Sequence, residues 1–428
     1  MTRVTLELVE GQMARLQGPA RLRVARGQVM ILGAIFKPGD EVSVSEFRSY
    51  AVKALVDSSV EVLLDYGGVV EKPRPGEEPL DEWVATIDSL VRRGCRSFMV
   101  LGPTDAGKSS VTALIVNRAL EYGMRPGVVD ADVGQADVGP PACVSAALPS
   151  RRILWLREVR AERFRFVGYV TPQRAERRIV AAVVDLVEWL RRNGAEVVAV
   201  DTDGWVQGVN SIEYKVEAAR FASIDTLIVV GDQKLYRMLE RQYSRLGCGV
   251  YYLRSPQVRR ERDRGERRSL RGERYRAFLS SLAERVLDLS EVSVQGSCFF
   301  SGEPLPPEVA EGYSSVLRVP VEAASETYDT VYVVTRGQPD PGAVEKLSTA
   351  LGKQVYILDK RLVPGTLAAI VGASGVEESL AIIRDIDLRA MKARIATPHE
   401  GEVKGLILGG IRLGEDFEET GRPLRCVI

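Results

Sequence analysis

One glycine loop constrains the fold of this chain more than any other feature. Residues 102–109 read Gly-Pro-Thr-Asp-Ala-Gly-Lys-Ser, which is the pattern G-x-x-x-x-G-K-[S/T]. The apolar run at 98–101 before it predicts a buried strand, and the run at 111–120 after it predicts a helix. A strand, a glycine loop and a helix in this order are the context in which the pattern binds a polyphosphate.

The residue types in the loop predict its chemistry. Glycine lets the backbone curl so that successive N–H groups face an anion, and the helix N-terminus adds the positive end of its dipole. We expect Lys108 to contact the β- and γ-phosphates of a nucleotide and the Ser109 hydroxyl to ligate Mg²⁺. The predicted nucleotide-binding residues are Gly102, Pro103, Thr104, Asp105, Ala106, Gly107, Lys108, Ser109 and Ser110.

Length and charge exclude several broad classes. The chain has 428 residues, which predicts two or three domains. Lys and Arg total 58, as do Asp and Glu, so any nucleic-acid site must be a local patch. The first residues lack an apolar signal core, and no run approaches the roughly 20 apolar residues of a membrane span. We therefore expect a soluble, cytoplasmic protein with no membrane partner.

Cysteine and histidine usage argues against common metal sites. The five cysteines are scattered without a C-x-x-C pair, which predicts reduced thiols rather than a disulfide framework or a zinc site. The only histidine, His399, cannot build a multi-histidine metal site, and nothing marks it as part of a Ser-His-Asp triad. We expect it to be a surface loop residue.

Changes of pattern along the chain predict three domains. Residues 1–70 alternate apolar and polar positions between glycine and proline turns, which predicts a small β-sandwich. Residues 71–95 form a proline-rich linker and a helix. Residues 96–288 alternate strands and helices, which indicates an α/β P-loop core with a parallel sheet covered on both faces. Residues 289–428 predict a second flanking β domain, a scaffold or a surface for protein partners.

Two carboxylates follow the next predicted strand. Asp130 and Asp132 end the apolar run that begins at residue 128. At this edge of a P-loop sheet a carboxylate completes the Mg²⁺ shell or takes a proton from the nucleophile, so both are predicted metal-site residues. Gln135 is a candidate to orient a hydroxyl or a phosphate, against the alternative of an ordinary loop residue.

Two further segments are candidates for the second substrate. Trp205 follows a glycine in Asp-Thr-Asp-Gly-Trp at 201–205, and it is either a platform for a base or a tryptophan buried between domains. Residues 254–276 hold ten arginines and four acidic residues. This segment is a solvated helix, a nucleic-acid patch or a mobile lid that neutralises a transferring phosphoryl group. After 227–230 the chain reads Gly-Asp-Gln-Lys in place of the guanine-specific N-K-x-D, which disfavours a switch GTPase.

Together these residues resemble the polynucleotide 5′-hydroxyl kinase family, which includes the kinase subunit of the eukaryotic pre-mRNA cleavage factor and the pre-rRNA-processing kinases. Four motifs match in order: the glycine loop, Asp-Val-Gly-Gln at 132–135, a "clasp" Thr-Asp-Gly-Trp at 202–205 and an arginine-rich "lid" at 254–276. The three-domain layout also matches, and the compact chain resembles an archaeal member.

The resemblance implies ATP- and Mg²⁺-dependent phosphorylation of the 5′-hydroxyl of RNA, and often of DNA, in RNA processing. It implies that Asp132 is the general base and that the N-terminal domain helps to hold the adenine. The implied catalytic residues are Lys108, Asp132, Arg262 and Arg267. The implied substrate-binding residues are Gln135, Thr202, Trp205, Arg268 and Arg271, and the implied metal residues are Ser109, Asp130 and Asp132.

Two other functions remain open from the sequence. One is a scaffold that binds ATP without turnover and holds the domains together in an RNA-processing complex. The other is a P-loop kinase or ligase that acts on a small molecule. Salt separates this last class from a polynucleotide kinase, because a polynucleotide binds more weakly as the salt concentration rises.

Overall fold

A computed structural model of the chain describes residues 1–46, 48–247, 249–258 and 263–428. The first domain is built from nine strands: β1 Thr2–Leu8, β2 Met13–Gln17, β3 Ala20–Arg26, β4 Val29–Ile31, β5 Ala34–Phe36, β6 Glu41–Val44, β7 Ser49–Ala54, β8 Ser58–Leu64 and β9 Val69–Glu71. They form antiparallel sheets in the orders β1-β8-β3-β6 and β5-β4-β7-β2-β9. Alternate apolar residues such as Leu22, Val52 and Val60 are buried, because successive side chains of a strand point to opposite faces.

The central domain is one seven-stranded sheet with helices on both faces. Its strands are β10 Ser97–Leu101, β11 Pro126–Ala131, β12 Cys143–Ala147, β13 Arg163–Phe166, β14 Val197–Thr202, β15 Thr226–Val230 and β16 Gly249–Leu253. Its helices, with the linker helix first, are α1 Leu80–Arg92, α2 Lys108–Glu121, α3 Glu176–Arg192, α4 Val209–Phe221, α5 Gln233–Tyr243 and α6 Arg264–Phe278. The predicted P-loop core is therefore confirmed.

The sheet order is β13-β12-β11-β14-β10-β15-β16, and one edge differs from the expected parallel sheet. Strand β12, which the sequence analysis missed, pairs antiparallel with both β11 and β13. The connection from β11 to β12 at 132–142 carries no helix to cross the sheet, so the chain turns back antiparallel. The sheet is thus mixed rather than wholly parallel.

The C-terminal domain contains two sheets and two helices. Its strands are β17 Ala283–Asp288, β18 Ser293–Gln295, β19 Glu303–Pro304, β20 Val321–Glu326, β21 Thr330–Thr335, β22 Gln354–Asp359, β23 Thr366–Val371, β24 Glu377–Asp387, β25 Lys392–Thr397 and β26 Gly405–Arg412. The sheet orders are β17-β25-β24-β23-β26-β18 and β19-β20-β21-β22. Helices α7 Pro307–Leu317 and α8 Pro341–Leu351 were not predicted, because each shows only a short apolar face.

A disulfide closes this domain. Cys298 and Cys426 are bonded, with their Cα atoms 5.5 Å apart, so the expectation of reduced thiols is wrong for this pair. The two cysteines are 128 positions apart in sequence, and no sequence pattern signals the pairing, since only the fold brings them together. Cys143 in β12 is a buried free thiol.

The first domain contacts both the linker and the central domain. Arg15 of β2 is almost fully buried and binds Glu71, Glu77 and Glu78 at 2.5–2.9 Å, which fastens the linker to the first domain. The Tyr50 hydroxyl donates to the carbonyl oxygen of Leu154 in the central domain at 2.9 Å.

In the described part of the chain, every helix is too short or too polar to cross a membrane.

Candidate active site

The glycine loop packs tightly against a neighbouring strand. Gly102 has a φ of 152°, and a Cβ there would lie 2.4 Å from the carbonyl oxygen of Val230. Only glycine allows the chain to turn in so little space. Lys108 begins helix α2, is buried, and donates from Nζ to the carbonyl oxygen of Pro103 at 3.0 Å. The lysine therefore folds back across the loop, with its charge where phosphates bind.

Asp201 binds the motif serine. Strand β14 lies directly beside β10, and Asp201 near its carboxyl end pairs in register with Val100. Its Oδ2 accepts a hydrogen bond from the Ser109 hydroxyl at 2.6 Å. Burial raises the pKa of Asp201 to about 7, although nearby Lys108 acts in the opposite direction. Asp201 is not among the metal residues predicted from the sequence, which are Ser109, Asp130 and Asp132.

Both carboxylate oxygens of Asp130 accept hydrogen bonds from backbone N–H groups of the loop that follows it. Its Oδ1 accepts from the N–H of Asp132 at 3.1 Å, and its Oδ2 accepts from the N–H groups of Asp137 and Val138 at 2.7 and 2.9 Å. The side chain is 1% exposed, and burial raises its pKa well above the ordinary value, helped by the charges of Asp201 and Asp137. These contacts shape the loop that follows β11.

Asp132 faces the open site. Its Oδ1 accepts from the N–H groups of Gly134 and Gln135 at 3.1 and 3.0 Å, and within the described residues no group donates to its other oxygen. Burial and the charge of Asp203 raise its pKa, whereas Lys108 lowers it. A carboxylate held by two backbone N–H groups, with a free oxygen and a raised pKa, is suited to accept a proton.

The site residues suit a hard divalent cation. The Ser109 hydroxyl, Asp201 and Asp132 offer oxygen ligands, the type that Mg²⁺ prefers. The raised pKa values of both carboxylates indicate negative charge that a cation would stabilise. In the ranges that the structure describes, no three His, Cys, Asp or Glu side chains form a metal cage.

The clasp packs directly on the glycine loop. The Thr202 hydroxyl donates to the carbonyl oxygen of Val100 at 2.8 Å, so this predicted substrate residue joins the clasp to β10. A Cβ on Gly204 would lie 2.2 Å from the Thr104 hydroxyl, which explains the glycine between Asp203 and the tryptophan. Trp205 is half-buried and stacks on Tyr214, with ring centres 5.9 Å apart.

A buried ion pair between Lys215 and Asp203 supports the clasp. Lys215 donates to a carboxylate oxygen of Asp203 at 3.1 Å and to the carbonyl oxygen of Trp205 at 2.5 Å. The Tyr214 hydroxyl donates to the other carboxylate oxygen of Asp203. Burial lowers the pKa of Lys215, and Asp203 opposes that shift. The sequence does not predict this support, since only the packing of α4 against the clasp reveals it.

The lid contains a helix that touches both the glycine loop and the chain end. Helix α6 begins at a capping box in which Asp263 accepts from the N–H of Glu266. Arg267 donates to Asp105 of the loop at 2.9 Å. Arg268 and Arg271 instead bind acidic residues near the C-terminus, Glu418 at 3.1 Å and Glu419 at 2.6 Å. The predicted catalytic Arg262 lies outside the described residues.

One cavity of about 360 Å³ joins these parts. The first domain contributes Gln17, Arg48 and Ser49 to its lining, and the lid side contributes Pro256 and Val258. The loop and the carboxylate side contribute Asp105, Gly107, Lys108, Ser109, Ser110, Asp132, Gln135 and Asp137. A volume in this range suits a small-molecule ligand. The predicted nucleotide site and the predicted base therefore share one space.

Known proteins are similar to this chain over parts of its length. Residues 102–281 match the family model described as the mRNA cleavage and polyadenylation factor CLP1 P-loop. A polyribonucleotide 5′-hydroxyl-kinase of Thermococcus kodakarensis is 28% identical over 329 residues, which cover 76% of this chain and 90% of the relative. The polyribonucleotide 5′-hydroxyl-kinase Clp1 of Homo sapiens is 33% identical over 196 residues, 44% of this chain and 45% of the relative.

A solved structure extends the likeness beyond the core. The structure of a complex between wild-type Clp1p and Pcf11p matches with a TM-score of 0.62 at 14% identity, over 96% of this chain and 98% of that chain. This match concerns the fold alone, and it includes both flanking domains. The P-loop match and the archaeal relatives bear out the resemblance found in the sequence: this chain is similar to polyribonucleotide 5′-hydroxyl-kinases, and its residues 102–281 match the CLP1 P-loop family model.

Proposed function

We propose that this chain transfers the γ-phosphate of ATP to the 5′-hydroxyl of RNA. The observation that carries the proposal is the cavity in which Lys108 and Ser109 lie with Asp132 and Gln135. The glycine loop and a carboxylate with a raised pKa line the same space, which supports the proposal. The printed names of the archaeal and human relatives support RNA as the acceptor.

We assign the roles in the transfer to side chains of this protein. Lys108 binds the phosphates of ATP and stabilises the charge on the transferred group. Asp132 accepts the proton of the 5′-hydroxyl through the oxygen that no described group occupies. Arg267, fixed on Asp105, brings a guanidinium to the loop and stabilises the transferring phosphoryl group. The clasp at Trp205 offers a ring on which the first base of the acceptor stacks.

We also propose that the transfer requires Mg²⁺ in addition to ATP. Ser109 and Asp201 would hold it, with Asp132 on the acceptor side. When bound, it neutralises charge on the β- and γ-phosphates. Asp201 keeps the serine hydroxyl oriented by the 2.6 Å hydrogen bond. Asp130 has a different role, because its oxygens hold the loop that carries Asp132.

Three further parts of the proposal concern the acceptor, partners and location. DNA with a 5′-hydroxyl is proposed as a second acceptor, on the family resemblance alone. The C-terminal domain is proposed as a surface for RNA-processing partners, and the related fold seen in a Clp1p–Pcf11p complex supports this. We also propose a cytoplasmic location. The disulfide between Cys298 and Cys426 removes the cysteine pattern as an argument for it.

The test is transfer of labelled γ-phosphate to 5′-hydroxyl oligonucleotides of RNA and DNA. We expect transfer to RNA, and complete loss in Lys108→Ala with the melting temperature retained. An exposed lysine of the first domain, Lys37, supplies the matched control variant Lys37→Ala. Full transfer by Lys108→Ala would refute the assignment. ATP binding without transfer to any oligonucleotide would favour the scaffold function. Transfer only to small molecules would favour a small-molecule kinase or ligase.

A further inference from the structure

Helix α6 is fastened to the C-terminal domain by a strap, which we define as residues 414–420 after strand β26. The Arg271 guanidinium donates to both carboxylate oxygens of Glu419, from Nε at 2.6 Å and from a terminal nitrogen at 3.0 Å. Arg268 donates to the carbonyl oxygen of Glu419 at 2.7 Å and pairs with the Glu418 carboxylate at 3.1 Å. Because two parallel bonds from one guanidinium fix the geometry of a carboxylate pair, the strap holds the helix in a defined orientation.

Apolar packing extends this attachment along the helix. Tyr275 and Leu279 of α6 are buried in one cluster with Leu367 of β23 and Ile411 of β26. Phe417 of the strap packs against the same cluster. Burial of large apolar side chains is the main stabilising contribution at such a contact, so the C-terminal half of α6 is firmly packed into the C-terminal domain.

Other contacts of α6 reach two loops of the active site. Arg267, Arg271 and Arg274 are four and three positions apart, so their side chains lie on one face of the helix. Arg267 binds Asp105 of the glycine loop at 2.9 Å. Arg274 donates to the carbonyl oxygen of Asp137, in the loop that follows β11, at 2.8 Å. One helix therefore contacts both the glycine loop and the loop that carries the predicted base.

Arg271 joins the strap to the loop that carries the base. Two of its nitrogens bind Glu419, and the third lies 3.5 Å from the carbonyl oxygen of Gly134. The N–H of Gly134 donates to Oδ1 of Asp132 at 3.1 Å. The Arg271 and Glu419 side chains are only 17% and 21% exposed, so solvent and salt screen this pair less than a surface pair. Glu419 is thus connected to the predicted base through two residues.

We propose that Glu419 is a positioning residue for phosphoryl transfer. It fixes the Arg271 guanidinium and with it the orientation of α6, so that Arg267 stays at the glycine loop and Asp132 stays aligned with the acceptor hydroxyl. The C-terminal domain thereby takes part in the reaction, because its strap holds the helix. This inference rests on the proposed kinase function, and it assigns Arg271 to the support of the site rather than to contact with the acceptor.

The first test is Glu419→Gln, which keeps the size of the side chain and removes its charge. We expect kcat for γ-phosphate transfer to a 5′-hydroxyl oligoribonucleotide to fall by about tenfold to a hundredfold, since a displacement of about 1 Å at a reacting group has an effect of this size. The KM for ATP and the melting temperature should stay unchanged. Glu415, an exposed glutamate of the same strap, supplies the matched control Glu415→Gln. An unchanged kcat in Glu419→Gln would overturn the inference.

The variant Arg271→Gln and the double variant Glu419→Gln/Arg271→Gln separate positioning from direct binding of the acceptor. If Arg271 acts through its bond to Glu419, the losses in kcat are not additive, and the double variant is no slower than Arg271→Gln alone. Losses that multiply would overturn the inference. A rise in the acceptor KM that occurs in Arg271→Gln and not in Glu419→Gln would also overturn it, because Arg271 would then contact the acceptor itself.

Amide hydrogen exchange measures the positioning without the reaction. Glu419→Gln should increase the exchange rates in α6 and in residues 132–142 and leave those of α2 unchanged, because exchange reports local opening. Equal rates in the variant and the wild type would overturn the inference. Failure of the wild type to phosphorylate any oligonucleotide would instead refute the proposed function, whereas the exchange difference would still show that Glu419 positions α6.

Discussion

Replacing Asp201 with asparagine asks whether this carboxylate, rather than Asp130, works with Ser109 in the metal site. The two aspartates pair in register on neighbouring strands, so they are close in space and similar in burial. They differ in what they bind: Asp201 accepts from the Ser109 hydroxyl, and Asp130 accepts from three backbone N–H groups. Asparagine keeps the size and one acceptor oxygen, so the substitution removes charge and little else.

The expected magnitude follows from the position of Asp201. Its carboxylate orients a metal-binding hydroxyl at 2.6 Å, and loss of a hydrogen-bond partner that orients a metal ligand costs about 10–100-fold in metal affinity or activity. Asp201→Asn should therefore raise the Mg²⁺ concentration for half-maximal rate by about 10–100-fold. The melting temperature should not fall, because the variant also removes a buried charge beside Asp130 and Asp132.

The assay is the rate of γ-phosphate transfer to a 5′-hydroxyl oligoribonucleotide as Mg²⁺ is titrated at saturating ATP. Asp130→Asn is the matched control. An amide has only one acceptor oxygen, so at least one of the three backbone N–H groups loses its partner and the loop that carries Asp132 is displaced. This control should lower kcat. The Mg²⁺ midpoint should shift less than about threefold, because Asp130 does not bind the Ser109 hydroxyl.

Two results would refute the reasoning. One is an unchanged Mg²⁺ midpoint in Asp201→Asn, which would show that the serine hydroxyl needs no charged partner. The other is the reverse pattern, with a large shift of the midpoint in Asp130→Asn at constant kcat. That result would favour the assignment made from the sequence.

Three other predictions test the clasp and the C-terminal domain. Gly204→Ala places a Cβ 2.2 Å from the Thr104 hydroxyl, so it should destabilise the protein by about 1–3 kcal/mol in thermal denaturation and lower transfer, and an unaltered melting temperature would contradict the close packing. Trp205→Ala should raise the KM for an oligonucleotide by about 5–100-fold, which corresponds to the stacking free energy of one base, and it should leave the KM for ATP constant. Equal rises in both KM values would exclude a base platform. Reduction of the bond between Cys298 and Cys426, which closes a 128-residue separation, should lower the free energy of unfolding by about 4 kcal/mol, and the serine variants should show no further effect of reductant.

Local patterns predicted the parts of the site that are contiguous in the chain. The glycine loop, its strand and its helix follow from a motif and an apolar period, and the structure places β10 and α2 on either side of the loop. Asp201 could not be selected in this way. Asp130 and Asp201 each end an apolar strand, and only the sheet order, with β14 between β11 and β10, shows which of them reaches Ser109.

Long-range pairs were the other limit of the sequence. Ten arginines in the lid predicted excess charge, but the partners of Arg268 and Arg271 are Glu418 and Glu419, about 150 residues away. Their attachment makes the end of the chain a support for α6. The same reason hid the disulfide and the ion pair between Arg48 and Asp137, because no periodicity connects positions so far apart in sequence.

The variable positions of the glycine loop connect the donor and acceptor sides of this site. The motif fixes Gly102, Gly107, Lys108 and Ser109 and leaves the four residues between the glycines open, since backbone N–H groups alone bind the phosphates. In this chain two of those positions have specific partners: Thr104 lies against Gly204 of the clasp, and Asp105 binds Arg267 of the lid. The loop therefore contacts both the clasp and the lid directly. The motif predicts a polyphosphate, and its open positions make the contacts to the two segments that we propose to hold the acceptor.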